Sequence, residues 1–494
     1  MAQMLSKATA NRDSGVVSRF AHIYKMCPMC DSPEVEYEFV VDRVAVSQCA
    51  ACTVLFANPH EAGDNAQLPM PETQAAYEVL KRFASAYLKR PVQSVLLIDA
   101  GWIPTDDVAD VRHAVSRDTS KKYDLVVAIG VVERDPNAIE LLESLRGVIS
   151  VGGVLLVVTP SLTSTSARAM RETWPQLGSK AAWWFSPDTA QLLLTRALYG
   201  DFVIATRADD LGADSDPAIR SFFASNLAIF CRPVERSDRK LLSVIVPVYN
   251  EAATVGELLD AVTRKTLDGI DIEIIIVESN STDGSRDIVK RYADLAHVRL
   301  IFEERPSGKG SAVRVGLQHA RGDVVLFQDA DLEYDVSDYD RLIEPLFSLK
   351  RNFILGSRHG ARGDGWKIRR FEKRRIFSSA MNLAHLALLR LFNKLFQQTL
   401  FDPFTMFKVF RRDCLYGLTF KCKRFDFDIE IAGKLIRKGY TPLEIPVNYR
   451  SRSFSDGKKV AIFGDPPTWI KAMFRVAGGH IYGGDTDLDV SRRG

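Results

Sequence analysis

The sequence predicts an α/β protein: two successive open sheets of mostly parallel strands behind a small cysteine-rich module. Three observations carry that reading. Four of the seven cysteines stand as two Cys-x2-Cys pairs near the start. Short apolar runs bounded by polar turns then alternate with helical patterns, as in chains whose strands are parallel. The alternation stops once, in CRPVERSDRK (231–240), which is charged, contains proline and lacks periodicity, and then restarts. A chain of 494 residues, 46% hydrophobic and 26% charged, suits two or three domains. A mean hydropathy near zero and the lack of an uncharged apolar run of about 18 residues exclude a conventional transmembrane helix. The opening MAQMLSKATANRDSGVVSR holds no apolar core of secretory type, so the chain is expected in the cytoplasm.

Residues 20–60 are expected to form a zinc ribbon. Cys27 and Cys30 are separated from Cys49 and Cys52 by 18 residues, within the spacing of a four-cysteine zinc site. Two disulfides or four free thiols are the alternatives, and a reducing cytoplasm disfavours the disulfides. With all four positions filled by cysteine, such a zinc is structural and offers no open position for chemistry. The segment from Tyr24 to Pro59 carries few basic residues, which argues against nucleic acid as a partner.

Residues 75–232 follow as an α/β unit. Ser94–Ile98, Leu125–Ile129 and Val154–Val158 read as buried strands, Ala138–Val148 as the helix before the third, and Phe202–Ala205 with Asn226–Phe230 as the end of the sheet. YDLVVAIGVVERDP (123–136), GGVLLVVTP (152–160) and WWFSPDTAQLLLTRALYGDFV (183–203) make residues 90–232 resemble the class I, SAM-dependent methyltransferases. Asp99 and Glu133 match positions of that family. The glycine-rich loop after its first strand does not appear: SVLLIDAGWIPTDD offers Gly101 alone, and too few residues precede Tyr123 for a usual second strand unit. The domain is therefore expected to be degenerate, a scaffold or docking module that does not bind SAM.

Residues 240–476 restart the alternation, with strands at Leu242–Val246, Glu273–Val277, Arg299–Phe302 and Val324–Phe327 and helices at Val255–Lys265, Ser285–Tyr292 and Gly310–His319. Residues 477–494 are glycine- and aspartate-rich and read as a flexible tail. Four motifs fall at strand ends, the edge where open α/β sheets bind ligands. SVIVPVYNEAATV (243–255) ends its strand in Pro247, Tyr249 and Glu251; IIIVESNSTDGS (274–285) supplies Glu278 and Asp283. RPSGKGSAVRVGL (305–317) sets Lys309 between glycines at a helix start, where free amides and an ammonium suit a phosphate. VVLFQDADLEY (324–334) delivers Asp329, Asp331 and Glu333 after a wholly apolar strand, and carboxylates so crowded call for a hard divalent cation.

This constellation resembles the family 2 glycosyltransferases of GT-A fold. The resemblance implies that Pro247, Tyr249, Glu251 and Glu278 hold the nucleobase and ribose of a UDP- or GDP-linked sugar, that Asp283 and Asp329 also serve its binding, and that Lys309 neutralises its diphosphate. It implies that Asp331 and Glu333, with Asp329 nearby, ligate Mg²⁺ or Mn²⁺, and that the sugar is transferred with inversion. The acceptor half resembles the polyprenyl- or dolichyl-phosphate sugar synthases. Arg358, Arg374, Ser378, Arg452 and Lys458 stand where that branch binds phosphates; Asp402 and Thr405 match an acceptor-side motif, while Met406 replaces a typical glycine. Asp426, Asp428 and Glu430 lie on or beside a bordering helix. A hydroxyl acceptor would need a general base, for which Asp402 and Asp428 are the candidates.

The net charge of +3 conceals a partition: Lys350 to Arg475 holds 27 basic and 10 acidic side chains, leaving the remainder strongly negative. KIRRFEKRR (367–375) leads into the apolar IFSSAMNLAHLALL (376–389), too short to cross a bilayer and suited either to its surface or to a protein core. The expectation is a peripheral protein at the inner face of the membrane that transfers a hexose to a polyprenyl phosphate. A saccharide acceptor in cell-surface polysaccharide synthesis, or a bifunctional transferase and methyltransferase, are the alternatives. Without aromatic and basic interleaving, nucleic acid is not expected, and no motif sets an oligomeric state.

Overall fold

The computed structural model describes residues 20–41, 44–58, 60–61, 73–99, 121–178, 181–212, 216–235, 240–358, 375–450 and 465–482. The ribbon comprises β1 (Phe20–His22), β2 (Val35–Val41), β3 (Val44–Cys49), β4 (Leu55–Ala57) and β5 (His60–Glu61). β2, β3 and β4 pair antiparallel in that order, and the turns at 27–32 and 49–54 bring the cysteines together.

The middle unit runs α1 (Thr73–Leu88), β6 (Val95–Asp99), β7 (Tyr123–Ile129), α2 (Ala138–Arg146), β8 (Ile149–Pro160), α3 (Thr165–Met170), β9 (Trp183–Trp184), α4 (Pro187–Arg196), β10 (Tyr199–Ala205), α5 (Pro217–Phe223) and β11 (Asn226–Pro233). Its sheet order is β10-β11-β8-β7-β6, parallel from β6 to β8, with β11 antiparallel to both neighbours. Among the described residues β6 is an edge strand. β9 leaves this sheet and pairs with β4, so the middle unit supplies the ribbon's fourth strand. Trp183 packs on Phe56 at 6.2 Å and donates its indole N–H to the Asp135 carbonyl at 2.8 Å. Two tryptophans at the head of an amphipathic helix gave no period-2 signal, which is why this strand was not expected.

The third unit runs β12 (Lys240–Val248), α6 (Val255–Arg264), β13 (Ile270–Glu278), α7 (Ser285–Lys290), β14 (Val298–Phe302), α8 (Lys309–His319), β15 (Val324–Phe327), α9 (Tyr339–Phe347), β16 (Phe353–Ser357), α10 (Arg375–Phe396), β17 (Lys408–Arg411), α11 (Phe427–Lys438), β18 (Leu443–Pro446) and α12 (Asp465–Gly478). The sheet order is β14-β13-β12-β15-β17-β16-β18, and only β17 runs against its neighbours. Val244, Ile245 and Val246 are fully buried, as a central strand covered on both faces requires. The chain moves outward from β12 through β13 to β14, then crosses back to β15 on the other side of β12. The carboxyl edge between β12 and β15 is therefore a topological switch point, where crevices form. β16 to β18 were not expected: each is four or five residues long, and β17 starts on a lysine.

The two larger units are packed on each other through buried polar contacts. The Tyr440 hydroxyl donates to Gln191, the Asn352 amide donates to the Asp188 carbonyl at 3.2 Å, and Arg196 donates to the Ser348 carbonyl at 3.2 Å. Gly439 has φ +108, and a Cβ there would lie 2.2 Å from that of Pro187, so the approach depends on glycine. The tail expected from residue 477 is anchored at its start: Tyr482 accepts the Ile204 amide at 3.1 Å, and α12 extends to Gly478. Residues 483–494 lie outside the described residues. α10 ends as a core helix, with Phe392 and Phe396 buried while Leu383 is exposed. No helix among the described residues is long and apolar enough to cross a membrane.

Candidate active site

A cavity of about 570 Å³ opens at the switch point between β12 and β15. Of the expected nucleotide-side residues, Pro247, Tyr249 and Glu251 line it. Their loop is tied to the one after β13. The amides of Asn250, Glu251 and Ala252 donate to Ser281, Ser285 and Asp283 at 2.9, 2.8 and 2.9 Å, and Thr282 returns its amide to the Asn250 side chain at 2.8 Å. Asn250 and Asn280 sit at φ 50 and 56, the left-handed region that asparagine tolerates. Glu278 and Asp283 are not in the cavity wall. Glu278 is buried, accepting the Ser281 amide at 2.6 Å and pairing with Arg286, while the neighbouring Ser279 faces the cavity. Asp283 organises the turn: burial works to raise its carboxyl, but bonds from Ser285 and Ala252 outweigh it and hold it below the usual range.

Lys309 is the first residue of α8. Gly308, at φ +97, permits the approach: a Cβ there would be 2.6 Å from the Lys423 carbonyl. The Lys309 ammonium lies 2.6 Å from Asp329 Oδ1 and over the Phe425 ring. Burial would lower this lysine, but Asp329 and Asp428 prevail and raise it, so it stays charged. Burial pushes the Asp329 carboxyl up; Lys309 opposes this, while Asp428 and Glu333 add to it. The carboxylates thus outnumber the cation among them, a donor set that fits a hard divalent ion. Asp331 Oδ1 accepts the Glu333 amide at 3.1 Å across Leu332, which is held at φ 57. Such strain in a non-glycine residue is typical of functional sites. Glu333 Oε2 accepts the Tyr449 hydroxyl at 2.8 Å. Asp329, Asp331 and Glu333 do not form a tight three-ligand cluster among the described residues, unlike the cysteines.

Arg358, which follows β16, also lines the cavity and lies over the Tyr449 ring. Its Nε and Nη2 reach the two oxygens of Asp402 at 2.8 and 2.7 Å, and its amide donates to Asp402 at 2.9 Å. Burial works to raise the Asp402 carboxyl, but Arg358 outweighs it and lowers it. Asp402 is fully buried and lies behind Arg358 rather than in the wall. Asp428 does line the cavity, with the Lys408 ammonium 3.9 Å away. Burial brings Lys408 down to about 8. Thr405 is buried, its hydroxyl shared with Tyr334 at 3.3 Å, and Met406 lines the cavity. Glu430 faces inward, accepting the amides of Lys421 and Cys422 and pairing with Lys434. Asp426 accepts the Arg424 amide at 3.1 Å. Arg374, Arg452 and Lys458 lie outside the described residues; Ser378 lies on α10, its side chain outside them. Phe404, Tyr449 and Trp469 also line the cavity and have no local signature in the sequence; nor does Lys408, buried behind Asp428.

The four cysteine sulfurs are buried and all within 4.8 Å of one another. Cys27 and Cys52 are 3.6 Å apart, Cys30 and Cys49 3.5 Å. A tetrahedral zinc with sulfurs at about 2.3 Å would set them roughly 3.8 Å apart, so the donor set fits. The Met29 and Cys52 amides each donate to a cysteine sulfur at 3.4 Å, which favours thiolate.

The chain is 28% identical over 224 residues to an undecaprenyl-phosphate 4-deoxy-4-formamido-L-arabinose transferase of Enterobacter sp. (strain 638), a match covering 44% of this chain and 62% of that protein. It is 27% identical over 220 residues to a dolichol-phosphate mannosyltransferase of Pyrococcus furiosus, covering 44% of this chain and 58% of that protein. The chain thus spans less than two thirds of these relatives' own length. Among solved structures, glucosyl-3-phosphoglycerate synthase from Mycobacterium tuberculosis, in complex with Mn²⁺, UDP-glucose and phosphoglyceric acid, aligns at 20% identity and a TM-score of 0.37, over 49% of this chain and 80% of that one. Residues 243–417, which run from β12 past β17 and include Lys309, Asp329, Asp331, Glu333 and Arg358, match the family model of Glycosyl transferase family 2.

Proposed function

We propose that the protein is a glycosyltransferase that moves a hexose from a UDP- or GDP-linked sugar to a polyprenyl phosphate, with inversion, at the inner face of a membrane. The observation that carries this reading is the meeting of two charged sets in the wall of one cavity: Lys309 with Asp329, Asp331 and Glu333, and Arg358. Mg²⁺ or Mn²⁺ bound by Asp331 and Glu333 would supply Lewis-acid stabilisation of the leaving diphosphate. Tyr249 and Glu251 would hold the nucleoside. Lys309, kept charged by its carboxylate neighbours, meets negative charge developing on the diphosphate as the anomeric C–O bond breaks. Arg358, oriented by Asp402, would hold the acceptor phosphate so that its oxygen forms the new bond from the opposite face. A phosphate oxygen is already anionic, so no general base is required. The middle unit would serve as a degenerate methyltransferase-like scaffold, and the ribbon as a structural zinc site.

A saccharide acceptor is the second reading. Met406 in the cavity wall, where lipid-phosphate enzymes typically carry glycine, favours it, and Asp428 would then be the base. Incubation of the protein and Mn²⁺ with a panel of nucleotide sugars, with and without undecaprenyl phosphate, separates the two. Lipid-linked product is expected; transfer to a glycan but not to lipid would select the second reading, and donor consumption with neither would contradict both.

A further inference from the structure

Gly308 and Gly310, on either side of Lys309, make room for a second stretch of chain. A Cβ on Gly308 would lie 2.6 Å from the Lys423 carbonyl oxygen and 3.2 Å from Arg424 Cγ; one on Gly310 would lie 2.5 Å from Phe427 Cβ and 2.8 Å from the Arg424 carbonyl oxygen. Residues 421–426, which lead into α11, therefore lie directly on the first turn of α8, and a side chain at either glycine would push them away. The Ser311 amide donates to the Lys423 carbonyl at 3.0 Å and fixes the contact. The segment is also held from α11: buried Glu430 accepts the amides of Lys421 and Cys422 at 2.9 and 2.7 Å, and Asp426 accepts that of Arg424 at 3.1 Å.

Arg424 and Phe425 are the residues of this segment that line the cavity. The Lys309 ammonium lies over the Phe425 ring, 5.6 Å from its centroid, and the Arg424 stem lies against Gly308. The guanidinium thus joins the cavity wall at the same end as Lys309. The neighbouring cations are already committed: Lys309 lies 2.6 Å from Asp329, and Arg358 is bonded through two nitrogens to Asp402. A departing nucleoside diphosphate carries more negative charge than one divalent cation offsets, and a lysine shared with a carboxylate supplies only part of the remainder. A guanidinium fork matches phosphate oxygens bidentately.

We propose that Arg424 is a further donor-binding residue, a guanidinium that the 421–426 segment presents beside Lys309 to the diphosphate of the sugar nucleotide. The assignment rests on the reading of the cavity as a nucleotide-sugar site. The test is calorimetric titration of the full chain with UDP and with GDP, in Mn²⁺ and at about 0.15 M salt, where charges more than about 8 Å apart are largely screened. R424Q is expected to keep the native thermal midpoint, because the side chain is exposed, and to bind the nucleotide that the native chain prefers roughly tenfold or more weakly. K423Q removes the same charge one residue away, from an exposed side chain outside the cavity wall, and should bind that nucleotide as the native chain does. Undiminished affinity in R424Q, or equal loss in R424Q and K423Q, would overturn the assignment and leave the nucleotide reading intact; binding of neither nucleotide by the native chain would overturn both.

Discussion

Asp402 shows what a single residue's surroundings decide. Its two oxygens are both engaged by Arg358, and it is wholly buried, so in the proposed mechanism it would position a cation rather than take a proton. Removing it leaves a buried guanidinium uncompensated. D402A is therefore expected to lose about 3–5 kcal/mol of stability in chemical denaturation, together with acceptor affinity. A variant of native stability that had lost only turnover would restore Asp402 as a base. Lys309 and Asp331 were legible in the sequence because each motif is local: a lysine between glycines at a helix start, and carboxylates following a wholly apolar strand. The Arg358–Asp402 pair was not legible as a pair, because the two are 44 residues apart and meet only when β16 is in place. Glu278 was legible as a strand-end acid and Asp283 as a turn residue, but sequence carries no sign of which way such a group turns.

At the scale of elements, the ribbon and α4 carry separable expectations. β9 pairs with β4, so the cysteine site and the middle sheet are mechanically joined. The native chain is expected to hold one zinc per molecule by elemental analysis, and C49S to lose it with a fall in the thermal midpoint. Full zinc content in C49S would contradict the four-sulfur site. On α4, Asp188 is buried against Asn352, and desolvation raises its carboxyl to about 6. Its folded pKa lies above its unfolded value, so the native state binds the extra proton between about pH 4 and 6. The stability this group contributes is present below pH 4 and lost as pH rises through 6, roughly 3 kcal/mol for about two units. D188N removes that titration, so its stability relative to the native chain should grow from pH 4 to 7; a flat difference would contradict the assignment. The parallel strands were legible as apolar runs, whereas β9 and β16 to β18 were too short to show a period.

Across the whole molecule, the charge partition and the cavity now have places in the fold. The basic stretch from Lys350 to Arg475 includes Arg358 and Arg424 in the cavity wall. Near-neutrality is the sum of this strongly basic stretch and a compensating acidic remainder, including the carboxylates after β15. The order of units along the chain was legible because periodicity restarts after residue 240. Their mutual packing was not, since Tyr440 with Gln191 and Arg437 with Asp210 join residues with no local signature. The central claim is that the acids after β15 serve sugar transfer from a nucleotide donor. Donor turnover by D331A, measured with Mn²⁺ beside the native chain and with stability checked in parallel, tests it most directly. Loss of at least a hundredfold in rate with the fold intact is expected, the size of effect seen when a charge-stabilising group is removed; an unchanged rate would contradict the account.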